Sequence, residues 1–232
     1  MRKGISVLAV AIICTTVSYE SSAQKSFAGT VRFEVKFEGD IDPQKHGPSE
    51  PIVYTIFENK EKTSLYNGVI QTIKDGDALT ETNLVDWPGY ARIGHTASKE
   101  SKQKDLSRKK YSYVERADTK NICGYECKGY DVTLVIKDED DDDDEEGEET
   151  KYIVYTTKEI GKDDNINALD HPGLSGYPLY MEFEKDGVKT IIQAKEVKKG
   201  KIKAVDFLIP SDYKMCSDEE FQEEFMKRVQ GQ

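Results

Sequence analysis

Asp170 to Tyr213 reads DHPGLSGYPLYMEFEKDGVKTIIQAKEVKKGKIKAVDFLIPSDY. A Gly/Pro-rich approach leads into a strand with apolar residues at Leu179, Met181 and Phe183. Asp186-Gly187 marks a turn, and a return strand follows through Val188, Thr190, Ile192 and Ala194. Alternation on both sides of an Asp-Gly step predicts a β-hairpin. An apolar face backed by a charged one is the pattern of an antiparallel sheet packed on one side.

The same period recurs upstream. Val31, Phe33, Val35 and Phe37 alternate with Arg32, Glu34, Lys36 and Glu38. IVYTIFE from Ile52 and KTSLY after Asn59-Lys60 predict a second hairpin, and Tyr130, Val132, Leu134 and Ile136 a strand within Glu126 to Lys137. KYIVYTT from Lys151 predicts another. The pattern weakens from Val69 to Thr96, where Trp87-Pro88-Gly89 interrupts any regular element.

Ser98 to Lys110 is basic, with Leu106 as its only large apolar group, and predicts an exposed loop or a loosely attached helix. Ser217-Asp218-Glu219-Glu220 has the form of a capping box, and Phe221, Phe225 and Val229 recur every fourth residue, predicting a short C-terminal helix. The fold class expected is mainly β. It is a single antiparallel, strongly curved sheet, a half-barrel of about eight to eleven strands with one short C-terminal helix, against a sandwich as the competing arrangement.

Residues 1–23 read as a signal peptide. Arg2 and Lys3 precede an apolar run from Ile5 to Val17, and Ser21-Ser22-Ala23 suits cleavage before Gln24. The run is shorter than the roughly 20 residues of a spanning helix. Residues 24–232 are then one domain in a periplasmic or secreted setting. From Asp138 to Glu149, eleven of twelve residues are acidic and account for almost all of the net charge of −11. Such a run between two strands predicts a solvated hairpin-tip loop, since these charges are not tolerated in a core. A diffuse cation atmosphere is the alternative; an EF-hand is excluded because Ile153 stands where the bidentate Glu is required. The acidity argues against nucleic acid as a partner.

Cys123, Cys127 and Cys216 remain after cleavage, in an oxidising compartment. In one extended strand Cys123 and Cys127 stand about 13 Å apart, beyond the roughly 4.4–6.8 Å a disulfide spans. A bond between them needs a turn at Gly124-Tyr125; the alternative expected pairing joins Cys216 to one of the two and leaves one thiol over. His46, His95 and His171 occupy separate loops without clustered ligands, which predicts no metal site and no cofactor. No nucleophile elbow, phosphate loop or Cys/His signature is present, so the expectation is a non-enzyme.

GTVRFEVKFEGDID, NICGYECKGYDV, YTTKEI with HPGLSGYPLYMEF, and AKEVKKGKIKAVDFLIPSDY, taken in order, resemble a family of secreted proteins of Gram-negative envelopes. Its members show Ile-x-Gly-Tyr-x-Cys and Gly-Leu-x-Gly-x-Pro-Leu segments, here Ile122 to Cys127 and Gly173 to Leu179. That family, and one named for its GLPGLI motif, are similar to the lipoprotein-localisation factors LolA and LolB. In those factors a half-barrel holds acyl chains under a helical lid; the resemblance implies a half-open barrel and a hydrophobic ligand, while the helical content for such a lid is almost missing from this sequence. The expected site is the apolar face carried by Phe33, Val35, Phe37, Leu134, Leu179, Met181 and Phe183, with Tyr54 and Tyr152 beside them, binding an acyl chain, lipid or lipoprotein. The competing expectation is an envelope protein-interaction module whose sheet is fully packed.

Overall fold

The computed structural model describes residues 26–39, 50–137 and 147–230. The signal-peptide assignment, His46 and most of the acidic run lie outside the described residues. The strands are β1 (Ala28–Gly39), β2 (Ile52–Phe57), β3 (Lys60–Leu65), β4 (Ile70–Asp75), β5 (Thr80–Val85) and β6 (Ile93–Ala97). After helix α1 (Lys99–Ser107) come β7 (Lys109–Ile122), β8 (Tyr125–Ile136), β9 (Glu148–Thr157), β10 (Tyr177–Lys185) and β11 (Val188–Lys199). A two-residue β12 (Lys214–Met215) and helix α2 (Asp218–Gln230) follow.

All twelve strands form one open sheet, ordered β12-β6-β5-β4-β3-β2-β1-β11-β10-β9-β8-β7. Neighbours are antiparallel except β12, which runs parallel to β6, so the sheet is mixed rather than purely antiparallel. The hairpin anticipated at Asp186-Gly187 is present, with Lys185 opposite Val188 and both turn residues at positive φ, as a primed turn requires. The β2–β3 turn falls at Glu58-Asn59, one residue earlier than anticipated, because Phe57 pairs with Lys60. Glu148 and Glu149 belong to β9, opposite Ile136 and Val135, so the connecting loop is shorter than the acidic run.

Among the described residues there are two α-helices rather than one, because the basic stretch after Ser98 takes the helical form of its two expected conformations. The Ser98 side chain caps α1, accepting from Ser101 N–H at 3.1 Å. α1 buries none of its residues and is tied to β5 by Lys102 on Glu81 at 2.9 Å. Ser217 Oγ accepts from Glu220 N–H at 3.2 Å and starts α2. Phe221 and Phe225 pack on Val85, Ile93 and Trp87, whereas Val229 stays exposed and Arg228 is buried under the Tyr90 ring. By alternation Glu81 and Val85 share a face. Both helices therefore lie over the same side of the β5–β6 edge. Residues 200–213 cover the opposite side, where Phe207 and Tyr213 pack on Ile73 and Leu84.

Cys123, Cys127 and Cys216 are free thiols, which corrects the expected disulfide. Cys123 occupies the β7–β8 turn and Cys127 lies buried in β8, while Cys216 follows β12 at the other end of the strand order. Alternating sequence specifies strands but not their order, so it does not reveal this separation.

Candidate functional site

Register places one continuous apolar row across half of the sheet. Val35 pairs with Ile192, Ile192 with Met181, Met181 with Val154 and Val154 with Tyr130. The next row runs from Phe37 through Thr190, Phe183 and Tyr152 to Val132 and Tyr113. Side chains opposite one another in paired strands share a face, so this face is the wall of a site. It borders a half-open cavity of about 480 Å³, within the range of about 300–1,000 Å³ usual for small-molecule sites.

Residues 158–176, between β9 and β10, form a strap over this face. Leu174 is buried against Val132 and Val154. Tyr111 donates to the Asp170 carbonyl at 2.8 Å and Tyr113 to that of Pro172 at 3.2 Å, which moors one side. On the other side, Asn165 Nδ2 donates to Asp77 at 3.3 Å, and a Cβ built on Gly76 would stand 2.0 Å from the Asn165 carbonyl oxygen, so glycine is needed there. Inside the strap, buried Asn167 donates from Nδ2 to the carbonyls of Leu174, at 3.1 Å, and Gly176.

Asp170 touches both Tyr111 of β7 and Lys74 of β4, which stand eight places apart in the strand order. In a flat sheet they would be roughly 38 Å apart at about 4.8 Å per strand. One residue joins them only because the strapped face is concave.

One end of the cavity is charged. Lys74 Nζ donates to both carboxylate oxygens of Asp170, at 2.8 and 2.7 Å, and lies 4.0 Å from Glu61 Oε1. Glu61 accepts at Oε2 from the Tyr177 hydroxyl at 2.6 Å, and both residues are buried. Burial pushes the Glu61 carboxyl up to about 7, only partly opposed by Lys74. Burial works against the charges of Lys74 and Asp170 too. Their mutual attraction nevertheless holds the lysine above, and the aspartate below, its ordinary range. Burial pushes Tyr54 up to about 12, with the Glu61 charge adding to it. His171, between the rings of Tyr111 and Tyr152, is pulled down by burial against the opposing pull of Asp170.

Of the residues named from sequence, Phe33, Leu134, Met181 and Phe183 line the cavity, as do Tyr54 and Tyr152. Val35 and Phe37 lie in the same rows but outside the lining. Leu179 is wholly enclosed, at 0% exposure, because the ladder shifts between Pro178 and Tyr180 and makes it the extra residue of a bulge. The charged group Glu61, Lys74 and Asp170 was not anticipated. β3 and β4 carry no long apolar alternation, and single charges in short strands ordinarily read as solvent-facing. His171 carried a signal, being embedded in the Gly/Pro segment that proves to be the strap.

No family model matches the chain, and no curated protein matches it. Among solved structures the chain is similar to PNGF-II in its C2 crystal form, at a TM-score of 0.56 and 12% identity, covering 88% of this chain and 33% of PNGF-II. At that identity the likeness is one of fold alone, and this chain spans about a third of the length of PNGF-II. A LolA superfamily protein from Nitrosomonas europaea matches at a TM-score of 0.32 and 9% identity, over 80% of this chain and 91% of its own. The lipoprotein LppX from Mycobacterium tuberculosis matches at 0.30 and 12%, over 73% and 86%. Scores at that level carry no structural argument.

Proposed function

We propose that this protein is a non-enzymatic carrier of an acyl chain, as a lipid or lipoprotein, held on the concave face of a LolA/LolB-like half-barrel in the bacterial envelope. The observation that supports this reading is the strapped cavity of about 480 Å³. Its walls are Phe33, Leu134, Tyr152, Met181, Phe183 and Ile192, set on the five neighbouring strands β1, β11, β10, β9 and β8 of the large sheet. An apolar chain laid against this wall would take its side chains out of water, which is favourable at about 25 cal/mol per Å² of apolar surface. Among the described residues no helix is long and apolar enough to cross a membrane.

The test is titration with a neutral apolar fluorophore such as N-phenylnaphthylamine, displaced by a long-chain monoacylglycerol. Saturable, displaceable binding is expected, and Phe183→Asp should abolish it without lowering cooperative unfolding. Phe183 is only partly buried, so the change charges the cavity wall more than it disturbs a core. Absence of saturable binding, or binding unaltered by the substitution, would move the assignment to an envelope protein-interaction module.

A further inference from the structure

The charged end of the cavity has a composition that an acyl ligand must meet with its headgroup. Lys74 is the only cationic side chain among the described residues lining the cavity, and its ammonium is already engaged by both oxygens of Asp170. Glu61 Oε2 is taken by Tyr177, while its Oε1 accepts no hydrogen bond from the described residues. His171 makes ring contacts and faces the cavity. The end thus presents one open carboxyl oxygen, an imidazole and one remaining N–H of Lys74, and no cation left for an anion.

We infer that the cavity selects amphiphiles with an uncharged headgroup bearing hydroxyl or amide N–H groups, and discriminates against carboxylates such as free fatty acids. The inference rests on the carrier reading. A hydroxyl or amide N–H donates to Glu61 Oε1, and its oxygen accepts from Lys74. A hydroxyl also accepts from Glu61 when that carboxyl is protonated, so it is served in either state. A ligand carboxylate would instead lose its water beside two acidic side chains whose only nearby cation is already paired, an unfavourable burial of charge. The ionisable groups facing Glu61 are Lys74 from β4, Asp170 and His171 from the strap, Tyr54 from β2 and Tyr177 from β10. Glu81 of β5 and Lys102 of α1 lie behind Lys74 and Asp170. None of these supplies a free positive charge to the cavity, because Lys102 is held by Glu81.

The experiment is competition against the neutral fluorophore on the wild-type protein, comparing a monoacylglycerol with the fatty acid of the same chain at pH 8. The monoacylglycerol is expected to bind about tenfold or more tightly, a modest share of the repulsion between like charges at this spacing. Asp170→Asn frees Lys74 and is expected to raise fatty-acid affinity about tenfold relative to that of the monoacylglycerol. That gain does not arise from misfolding. Glu61→Gln is expected to narrow the difference between the two ligands. Equal binding of both by the wild type, tighter binding of the fatty acid, or no gain in Asp170→Asn would overturn the headgroup assignment while leaving the carrier reading intact. If the fluorophore and both ligands fail to bind, the carrier reading itself falls.

Discussion

Replacing Glu61 with Gln is expected to alter the pH dependence of folding more than stability in mild acid. In the unfolded chain this carboxyl titrates near 4.5, and in the folded protein burial raises it to about 7. Between those values the folded state holds a proton that the unfolded state releases. Stability therefore falls as pH rises from about 4.5 and levels off above about 7. A shift of this size, at about 1.36 kcal/mol per unit, corresponds to about 3 kcal/mol, of which about 2–3 kcal/mol develops between pH 5 and 8. Glu61 is nearly enclosed, so little of this is lost to solvent screening. Gln keeps an acceptor for Tyr177 and carries no charge. Urea unfolding of both proteins at pH 5 and 8 reads the effect. The Gln variant should be within about 1 kcal/mol of wild type at pH 5 and more stable by about 3 kcal/mol at pH 8. Taking the difference between variant and wild type cancels groups common to both, including His171, whose lowered value makes stability rise with pH through its ordinary range. A stability difference that stays constant between the two pH values would refute the claim that Glu61 is destabilised as an anion.

Two further outcomes follow from the strap and the bulge. Gly76→Ala places a Cβ against the Asn165 carbonyl oxygen, 2.0 Å away, and should cost about 1–3 kcal/mol while exposing residues 158–176 to limited proteolysis; wild-type resistance to protease would show that the strap is not seated on Gly76. Leu179→Ala should cost about 2–5 kcal/mol, as for other enclosed leucines, whereas Met181→Ala, at the cavity wall, should cost less. Equal losses in chemical denaturation would mean that Met181 is core and the cavity is filled.

Much of the strand content was legible because each strand carries its own record of which residues face inward. Phe33 and Leu134 were placed on an apolar face by alternation alone, and the structure puts both on the cavity wall. Leu179 was misplaced by the same rule, since a bulge breaks the period of two and nothing local marks where it falls. The strap was legible only as a Gly/Pro-rich stretch. Its position depends on hydrogen bonds donated by Tyr111 and Tyr113 and one accepted by Asp77, residues from distant parts of the chain.

By itself the sequence determined the β class, the Asp186-Gly187 hairpin, the Ser217-capped helix and the identity of the apolar faces. Each of these follows from interactions within a few residues of one another. Only the tertiary structure decided the strand order that separates Cys216 from Cys123 and Cys127, the concavity, and the meeting of Glu61, Lys74 and Asp170 beneath the strap. Those depend on which strand pairs with which. A period-two pattern leaves that choice open, because every half-buried strand presents the same alternation to any neighbour.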